Sequence, residues 1–267
     1  MQNERLSNAR RKQHEMGLTF VPTPLGNLRD ITLRALDALR EAELIVAEDT
    51  RVARRLLSAH GITAAAVWAY HEHNAEAATA SILERAAHGN VAVVTDAGLP
   101  GISDPGSALV AAARAAGVGV EVLPGPTAFA CAAVLSGFDV RRFAFEGFPP
   151  RTSGARKSVF RAALARGIPS VWYESPFRTA AALRDLAAVD PGVRVFLLRE
   201  FTKMYEQQVS GTPAEVAAAL PDPMRGEVTL VIDAGSMDAD AVAGLDEQID
   251  ALRAARRRAR RNRSGNA

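Results

Sequence analysis

The chain has 267 residues, of which 48% are hydrophobic and 23% are charged, and its net charge at pH 7 is +2. This length can bury the core of one large domain or of two modest ones. The near-neutral charge does not identify a nucleic-acid-binding protein, the single cysteine excludes a disulfide scaffold, and no apolar run reaches the roughly 18 residues of a membrane span.

The first half of the chain alternates short apolar runs with amphipathic helical segments. The predicted strands are LTFVP, ELIVAE, AAVWAY, VAVVTD and VGVEVLP, and the predicted helices lie near residues 30–41, 50–59, 74–88, 105–116 and 127–136. This βαβ rhythm predicts a largely parallel sheet. Asp104 followed by Pro105 is typical of an N-cap and a first helical turn, so we interpret Asp104 as the cap of the fourth helix.

The composition changes at residues 136–151, where proline and polar residues interrupt the Ala-rich helices. We place a domain boundary there. Further strands are predicted at RFAFEGF, SVWYES, VRVFLLRE, YEQQVSG and GEVTLVID, with helices near 153–166, 176–188 and 212–220. No crossover helix separates YEQQVSG from the preceding strand, so this strand should be antiparallel and the second sheet mixed.

The sequence therefore predicts two consecutive α/β domains flanked by two tails. Residues 1–16 should form a flexible N-terminal tail, 17–138 the first domain, 139–234 the second domain, and 235–267 a basic tail that is helical or disordered. This last segment carries seven arginines between Arg253 and Arg263.

Three loops that follow predicted strands are rich in glycine and proline: VPTPLGN, TDAGLPGISDPG and LPGPTA. Ligands of open α/β sheets bind at the carboxyl ends of the strands, so the loops should meet at one crevice. Neither a Walker loop nor a Gly-x-Gly-x-x-Gly motif is present, which argues against an anionic ligand. Bare backbone beside a carboxylate such as Asp96 suits S-adenosylmethionine, whose sulfonium is cationic. Ordinary tight turns are the alternative.

Seven blocks in register resemble the tetrapyrrole methylase superfamily: FVPTPLGNLRDIT, AEDTRVARRLL, VVTDAGLPGISDPG, LPGPTA, YESPFR, REFTKMYE and GEVTLVI. The resemblance covers about residues 18–233 and is strongest to the branch that 2′-O-methylates a cytidine in the decoding region of small-subunit (16S) ribosomal RNA. It implies a homodimer, with S-adenosylmethionine bound in a cleft between the two domains. The implied cofactor contacts are Pro24, Leu25, Asp96, Gly98, Ile102, Thr127 and Ala128.

Transfer of a methyl group to a ribose hydroxyl needs a group that takes the hydroxyl proton. Block AEDTR follows the second strand and REFTK follows a strand of the second domain, so both should face the crevice. The catalytic candidates are Glu48, Asp49, Glu200 and Lys203. A lysine whose pKa is lowered by burial could act as the base, and an unperturbed lysine could hold a phosphate. Alternatively, Asp49 or Thr50 caps the next helix.

Contacts to RNA are predicted from arginines and aromatic side chains. Arg51 and Arg199 accompany the catalytic candidates, and Tyr173 and Phe177, together with Phe148 and Tyr205, could stack on a splayed base. The phosphate-binding candidates are Arg151, Arg156, Lys157, Arg161 and the arginines of the basic tail. Core packing of the aromatics and a solvated charged helix are the alternatives.

The expected partners are small-subunit ribosomal RNA or the small ribosomal subunit, without a membrane. The five histidines show no metal-ligand spacing, so we expect no metal. The N-terminal segment lacks the hydrophobic centre of a secretory signal, which predicts a cytoplasmic protein. Two other functions stay open: a small-molecule methyltransferase of the tetrapyrrole type, and a ribosome-binding factor without catalysis.

Overall fold

Alternating apolar strands and helices of this chain form two five-stranded sheets. The structure is a computed structural model that describes residues 16–71, 73–104 and 106–234. The predicted tails at residues 1–16 and 235–267 lie outside these residues, apart from Met16. Among the described residues, no helix combines the length and the apolar character needed to cross a membrane.

The first sheet is entirely parallel, with the order β3-β2-β4-β1-β5. Its strands are β1 (Gly17–Phe20), β2 (Leu44–Ala47), β3 (Val67–Ala69), β4 (Asn90–Val94) and β5 (Val120–Val122). The helices in this half are α1 (Leu33–Glu41), α2 (Thr50–Ala59), α3 (Ala75–His88), α4 (Ser107–Ala115) and α5 (Ala128–Leu135). Alternate residues of β2 enter different cores: Ile45 packs with α1 and α2, while Leu44 packs with α3 and α4.

The second sheet is mixed, with the order β6-β7-β10-β8-β9. Its strands are β6 (Ala144–Gly147), β7 (Ser170–Glu174), β8 (Val195–Arg199), β9 (Gln207–Gly211) and β10 (Val228–Ile232). Only β6 and β7 pair in parallel, and the antiparallel position of β9 confirms the interpretation of YEQQVSG. The helices α6 (Ser153–Ala165), α7 (Pro176–Val189) and α8 (Pro213–Ala218) cover one face.

Helix α5 joins the two halves of the molecule. It follows the last strand of the first sheet, yet its Ala132 and Ala133 are buried against Val171 and Val231 of the second sheet. Small side chains on this helix let it lie close to the strands. The apolar segment that contains Cys131 therefore holds the second sheet beside the loops of the first.

The predicted fold class is confirmed: a parallel sheet is followed by a mixed sheet, and each carries helices. One local interpretation is wrong. Helix α4 begins at Ser107 with Gly106 as its N-cap, so Asp104 does not cap it. The helix starts two residues later than predicted, which leaves the Asp104 side chain in the cleft described below.

Candidate functional site

The three loops rich in glycine and proline pack directly on one another. Thr23 and Gly98 form an antiparallel bridge with N to O distances of 2.9 and 3.0 Å, which joins the first loop to the second. Gly98 has φ +86°, and a Cβ there would lie 3.2 Å from Leu25 Cδ2. A Cβ on Gly125 of the third loop would lie 2.5 Å from Pro22 Cβ. Gly98 is needed because of its positive φ, and Gly125 because any Cβ there would collide with the rigid Pro22 ring.

Strand order explains why these loops meet. Strands β2, β4, β1 and β5 are consecutive in the parallel sheet, so the segments after them share one edge. The chain reverses its direction of winding beside β1, and such a switch point is where α/β sheets place ligands. The AEDTR block after β2 therefore lies beside the three loops, and of its predicted site residues only Glu48 lines the cleft described below.

A cleft of about 390 Å³ lies between these loops and the carboxyl end of β7 in the second sheet. Nine predicted site residues line it: Leu25, Glu48, Asp96, Gly98, Ile102, Thr127, Ala128, Phe148 and Tyr173. Pro24 is buried beside Leu25 but does not line the cleft. The second half of the chain contributes, among others, Phe148, Glu174 and Glu227. The cleft is thus built from both halves of the molecule.

The walls of the cleft are acidic. Five carboxylates line it: Glu48, Asp96, Asp104, Glu174 and Glu227. None of the described lining residues is lysine, arginine or histidine. Carboxylates close together in a low-dielectric site attract a cation and repel phosphate. The arrangement therefore fits a cationic ligand. No group of three or more His, Cys, Asp or Glu residues in the described part of the chain has a geometry that could hold a metal ion.

Burial and mutual repulsion raise the pKa of two of these carboxylates. Burial, followed by the charge of Glu48, raises the pKa of Asp104 to about 6, although the nearby Thr95 hydroxyl acts in the opposite direction. Burial and Glu48 also raise the pKa of Asp96, whose Oδ1 accepts a hydrogen bond from the Asp49 N–H at 3.2 Å. The Thr95 hydroxyl donates to Glu48 Oε2 at 2.7 Å. Asp104 can therefore exchange a proton near neutral pH.

Asp49 has a structural position that argues against a role as a base. It is the N-cap of α2, and its side chain accepts from the Arg51 N–H at 2.8 Å. Its carboxylate also forms a bidentate pair with the Arg51 guanidinium, and the hydrogen bonds from Arg51 hold the pKa of Asp49 well below its usual value. Neither residue is among those lining the cleft.

Lys203 and Glu200 lie behind the cleft wall. The Lys203 ammonium is 3.0 Å from Glu200 Oε1 and 2.9 Å from Glu227 Oε2. Burial by itself would lower the pKa of Lys203, but these two carboxylates raise it above its usual value. The hypothesis that the pKa of Lys203 lies below its usual value is therefore wrong. Glu200 Oε1 also accepts from the Glu227 N–H at 3.0 Å, so Glu200 orders the loop before β10.

The two halves also touch outside the cleft. The Asn27 N–H donates to Thr202 Oγ1 at 3.0 Å, which connects the loop after β1 with the loop after β8. A Cβ on Gly26 would lie 2.4 Å from Lys203 Cγ and 2.9 Å from Thr202 Oγ1. Bare backbone at Gly26 is therefore what allows the REFTK block to approach the first loop.

The arginines predicted to bind RNA do not line the cleft. Arg51 is paired with Asp49, and Arg151 is exposed after β6. Arg199 donates to the Arg225 carbonyl at 2.7 Å and lines a separate open groove that also contains Tyr205. Phe177 is 86% exposed but lies one residue beyond the lining.

Arg156 is buried, which makes its predicted contact with phosphate wrong. Its guanidinium is 2.5 Å from Asp185 Oδ2 and donates to the carbonyls of Pro150 and Arg151. Because Arg156 is only 4% exposed, it stabilises the start of α6 and cannot reach a ligand in solvent. The arginines between Arg253 and Arg263 lie outside the described residues.

Sequence reasoning missed three carboxylates of the cleft. The sequence predicts Asp104 as a helix cap, because Ser-Asp-Pro-Gly resembles the start of a helix. Glu174 and Glu227 stand in YESPFR and GEVTLVI, two blocks that carried the family resemblance without a role for either glutamate. Glu174 ends β7, and Glu227 directly precedes the adjacent strand β10. A carboxylate at the end of a predicted strand is the signal in the sequence that could have identified them as residues of the cleft.

Comparison with known proteins gives consistent results. The family model described as Tetrapyrrole (Corrin/Porphyrin) Methylases matches residues 17–217. A Ribosomal RNA small subunit methyltransferase I of Neisseria meningitidis serogroup B is 42% identical over 219 residues, which cover 80% of this chain and 75% of the relative. Relatives of the same name from Bacillus subtilis and Escherichia coli O157:H7 are 39% and 40% identical, over 82% and 83% of this chain and 76% and 81% of their own.

Solved structures share the fold. A diphthine synthase superposes with a TM-score of 0.64 at 19% identity, over 80% of this chain and 89% of that one. A conserved hypothetical protein from Aeropyrum pernix K1 superposes with a TM-score of 0.65 at 21% identity, over 82% and 84% of the two chains. At this identity the likeness concerns the fold alone.

Proposed function

This chain belongs to the tetrapyrrole methylase family, and we propose that it transfers a methyl group from S-adenosylmethionine to the 2′ hydroxyl of a cytidine in the decoding region of small-subunit (16S) ribosomal RNA. The RNA substrate is proposed from the names of relatives about 40% identical to this chain. The cofactor is proposed from the charge of the cleft, which is the observation that carries the proposal.

The acidic cleft fits the proposed cofactor. Asp96 and Glu48 present negative charge where a sulfonium or an ammonium would gain from it, and Asp96 can also accept from a ribose hydroxyl. The bare backbone at Gly98 leaves room beside Leu25, which a Cβ would fill. Thr127 and Ala128, at the start of α5, complete the first wall. When bound, S-adenosylmethionine supplies an electrophilic methyl group and leaves as a neutral thioether.

Asp104 is the group best suited to take the proton of the ribose hydroxyl. It lines the cleft, and its pKa of about 6 leaves it mostly ionised at pH 7 while it still holds a proton well. Asp49 is neutralised by Arg51, and Lys203 is protonated between two glutamates. The negative charge of Glu48 helps to raise the pKa of Asp104.

Orientation should supply much of the remaining rate enhancement. Holding the two reactants in line can lower the barrier by up to about 7–11 kcal/mol. The first wall would hold the methyl donor, and the second wall would present the RNA sugar. We further propose that the protein is a cytoplasmic homodimer, as the family resemblance implies, and its molar mass in solution tests the dimer.

The decisive experiment is methyl transfer from radiolabelled S-adenosylmethionine to small ribosomal subunits that lack the modification. Label in the ribosomal RNA, mapped to a ribose 2′ oxygen, is the expected result. Label that enters only a tetrapyrrole, or none at all from folded protein, would refute the proposal. Calorimetry with S-adenosylmethionine separates an enzyme from a ribosome-binding factor without catalysis, because such a factor should give no heat of binding.

A further inference from the structure

Helix α2 carries three arginines on one exposed face. Arg51, Arg54 and Arg55 are exposed, whereas Leu56 and Leu57 are buried in the core of the first domain. Residues three and four positions apart are neighbours on the surface of a helix, with Cβ atoms about 5–6 Å apart. The three arginines therefore form one continuous basic surface, which we call the α2 stripe.

The carboxylates that accompany arginines on many surface helices are missing from α2. Its sequence, TRVARRLLSA, contains no acidic residue. Arg54 donates to the Thr50 hydroxyl at 3.2 Å, and neither Arg54 nor Arg55 forms an ion pair with any described residue. On helix α1, which packs on the same core, both arginines are paired with a carboxylate. A surface that serves solubility alone mixes charges of both signs, so the unpaired arginines of α2 indicate an anionic partner.

The α2 stripe starts at the rim of the cleft. Glu48 lines the cleft, and the next residue, Asp49, is the N-cap of α2. The Asp49 N–H donates to Oδ1 of Asp96, a second lining residue, at 3.2 Å. Arg54 and Arg55 lie within about 9 Å of this N-cap along the helix axis. An RNA strand with one nucleotide in the cleft can therefore reach both arginines with the phosphates of neighbouring nucleotides.

Charge separates the inside of the cleft from the α2 stripe. Five carboxylates line the cleft, and its described lining residues include no basic side chain. These carboxylates repel the phosphates of an RNA strand. A strand that presents one sugar to the cleft must therefore keep its flanking phosphates outside, where basic groups at the rim can offset the repulsion.

We propose that the α2 stripe binds the phosphate backbone of the ribosomal RNA beside the methylated nucleotide, with Arg54 and Arg55 each contacting one phosphate. This inference rests on the proposed function, because it concerns how the RNA substrate of that reaction is held. An arginine guanidinium can donate two parallel hydrogen bonds to one phosphate. Phosphate contacts fix the position of a strand and carry no sequence information, so the α2 stripe should position the RNA without selecting the base.

The test measures the Kd for small ribosomal subunits that lack the modification, at several salt concentrations. The double variant Arg54→Gln/Arg55→Gln should bind about tenfold more weakly at low salt. The slope of log Kd against log salt concentration should fall by about 1.4, or about 0.7 for each phosphate contact that is lost. In the methyl-transfer assay the KM for the subunit should rise more than kcat falls, because neither arginine lines the cleft.

Arg40→Gln/Arg114→Gln is the matched control, because it removes the same charge from the edge of the sheet opposite the cleft. Helices α1 and α4 follow the first and second loops of the cleft, and Arg40 and Arg114 are exposed in their last turns. This variant should keep the Kd and the salt slope of the unsubstituted protein. Both double variants should bind S-adenosylmethionine with unchanged affinity, which shows that each is folded.

Three outcomes contradict the inference in different ways. Equal Kd values and equal salt slopes for the two double variants would overturn it, while methyl transfer by the unsubstituted protein would still support the proposed function. Weaker binding of Arg54→Gln/Arg55→Gln to subunits, together with unchanged binding to the extracted ribosomal RNA, would mean that the α2 stripe contacts a ribosomal protein and would also overturn it. If the unsubstituted protein neither binds nor methylates small subunits, the inference and the proposed function both fail.

Discussion

Lys203 joins the acidic wall of the cleft to the loop behind it: its Nζ lies 2.9 Å from Oε2 of Glu227 and 3.0 Å from Oε1 of Glu200. Glu227 lines the cleft, whereas Lys203 does not. One protonated lysine thus offsets part of the negative charge there and holds the strand end before β10. These contacts indicate that Lys203 positions the Glu227 carboxylate and does not abstract a proton.

Replacing this lysine tests that role. Lys203→Ala should lower kcat at least about tenfold, because Glu227 loses its partner. The Kd for S-adenosylmethionine should stay within about threefold, because Lys203 does not line the cleft. Lys203→Arg should recover much of the activity. Arginine cannot act as a base at neutral pH, so inactivity of this second variant would restore Lys203 as the base.

Removing the charge of Asp96 should weaken cofactor binding. In Asp96→Asn the cleft loses one of the carboxylates that favour a cation, and we expect the Kd for S-adenosylmethionine to rise about tenfold, equivalent to about 1.4 kcal/mol. Calorimetry measures this directly. Asp37→Asn, an exposed position paired with Arg40 on α1, is the control and should not change the Kd. An equal Kd in both variants would make Asp96 an ordinary turn residue.

The reaction should depend on pH through Asp104. The carboxylate is the active form of a base, so kcat/KM should fall about tenfold per pH unit below pH 6 and level off above it, as the pKa of about 6 requires. Asp104→Asn should lose about a hundredfold or more in rate and should no longer show the acidic limb. A rate that is flat from pH 5 to 8 in the unsubstituted protein would assign the proton to another group.

A single methyl group at Gly26 should disturb the contact between the two halves. The Cβ of Gly26→Ala would lie 2.4 Å from Lys203 Cγ and 3.0 Å from the Phe201 carbonyl oxygen, and a backbone oxygen cannot move aside cheaply. We expect the Tm to fall by several degrees, for a cost of about 1–3 kcal/mol, and cofactor binding to weaken. Gly154→Ala, where a Cβ meets nothing within 4 Å among the described residues, should not lower the Tm and should leave cofactor binding unchanged.

The buried pair of Arg156 and Asp185 should matter for stability and not for RNA. Arg156→Ala leaves the Asp185 carboxylate without its partner and should cost about 3–5 kcal/mol in the free energy of unfolding. Chemical denaturation measures this change. Arg151→Ala, at an exposed position five residues earlier in the chain, should change the free energy of unfolding by no more than about 0.5 kcal/mol. Equal stability of the two variants would contradict the buried assignment.

Much of the fold follows from the order of residues alone. Apolar runs such as LIVA of β2 fit a strand buried on both faces, and Asp49 before Thr50 marks a helix start, because both signals act over a few neighbouring residues. Glycine and proline after consecutive strands were enough to predict that three loops meet at one edge. The individual residues Leu25, Gly98 and Thr127, which line the cleft, come from the family resemblance and not from this pattern.

What only the tertiary structure decided is which charges stand next to each other. The sequence determined two α/β domains and a crevice at the strand ends, since these depend on local periodicity and on the general geometry of parallel sheets. It left open that Lys203 would meet Glu200 and Glu227, or that one oxygen of Glu174 would have no hydrogen-bond partner among the described residues. Coulombic interaction and burial depend on distances between residues far apart in the chain, and those distances exist only once α5 has brought the second sheet against the loops of the first.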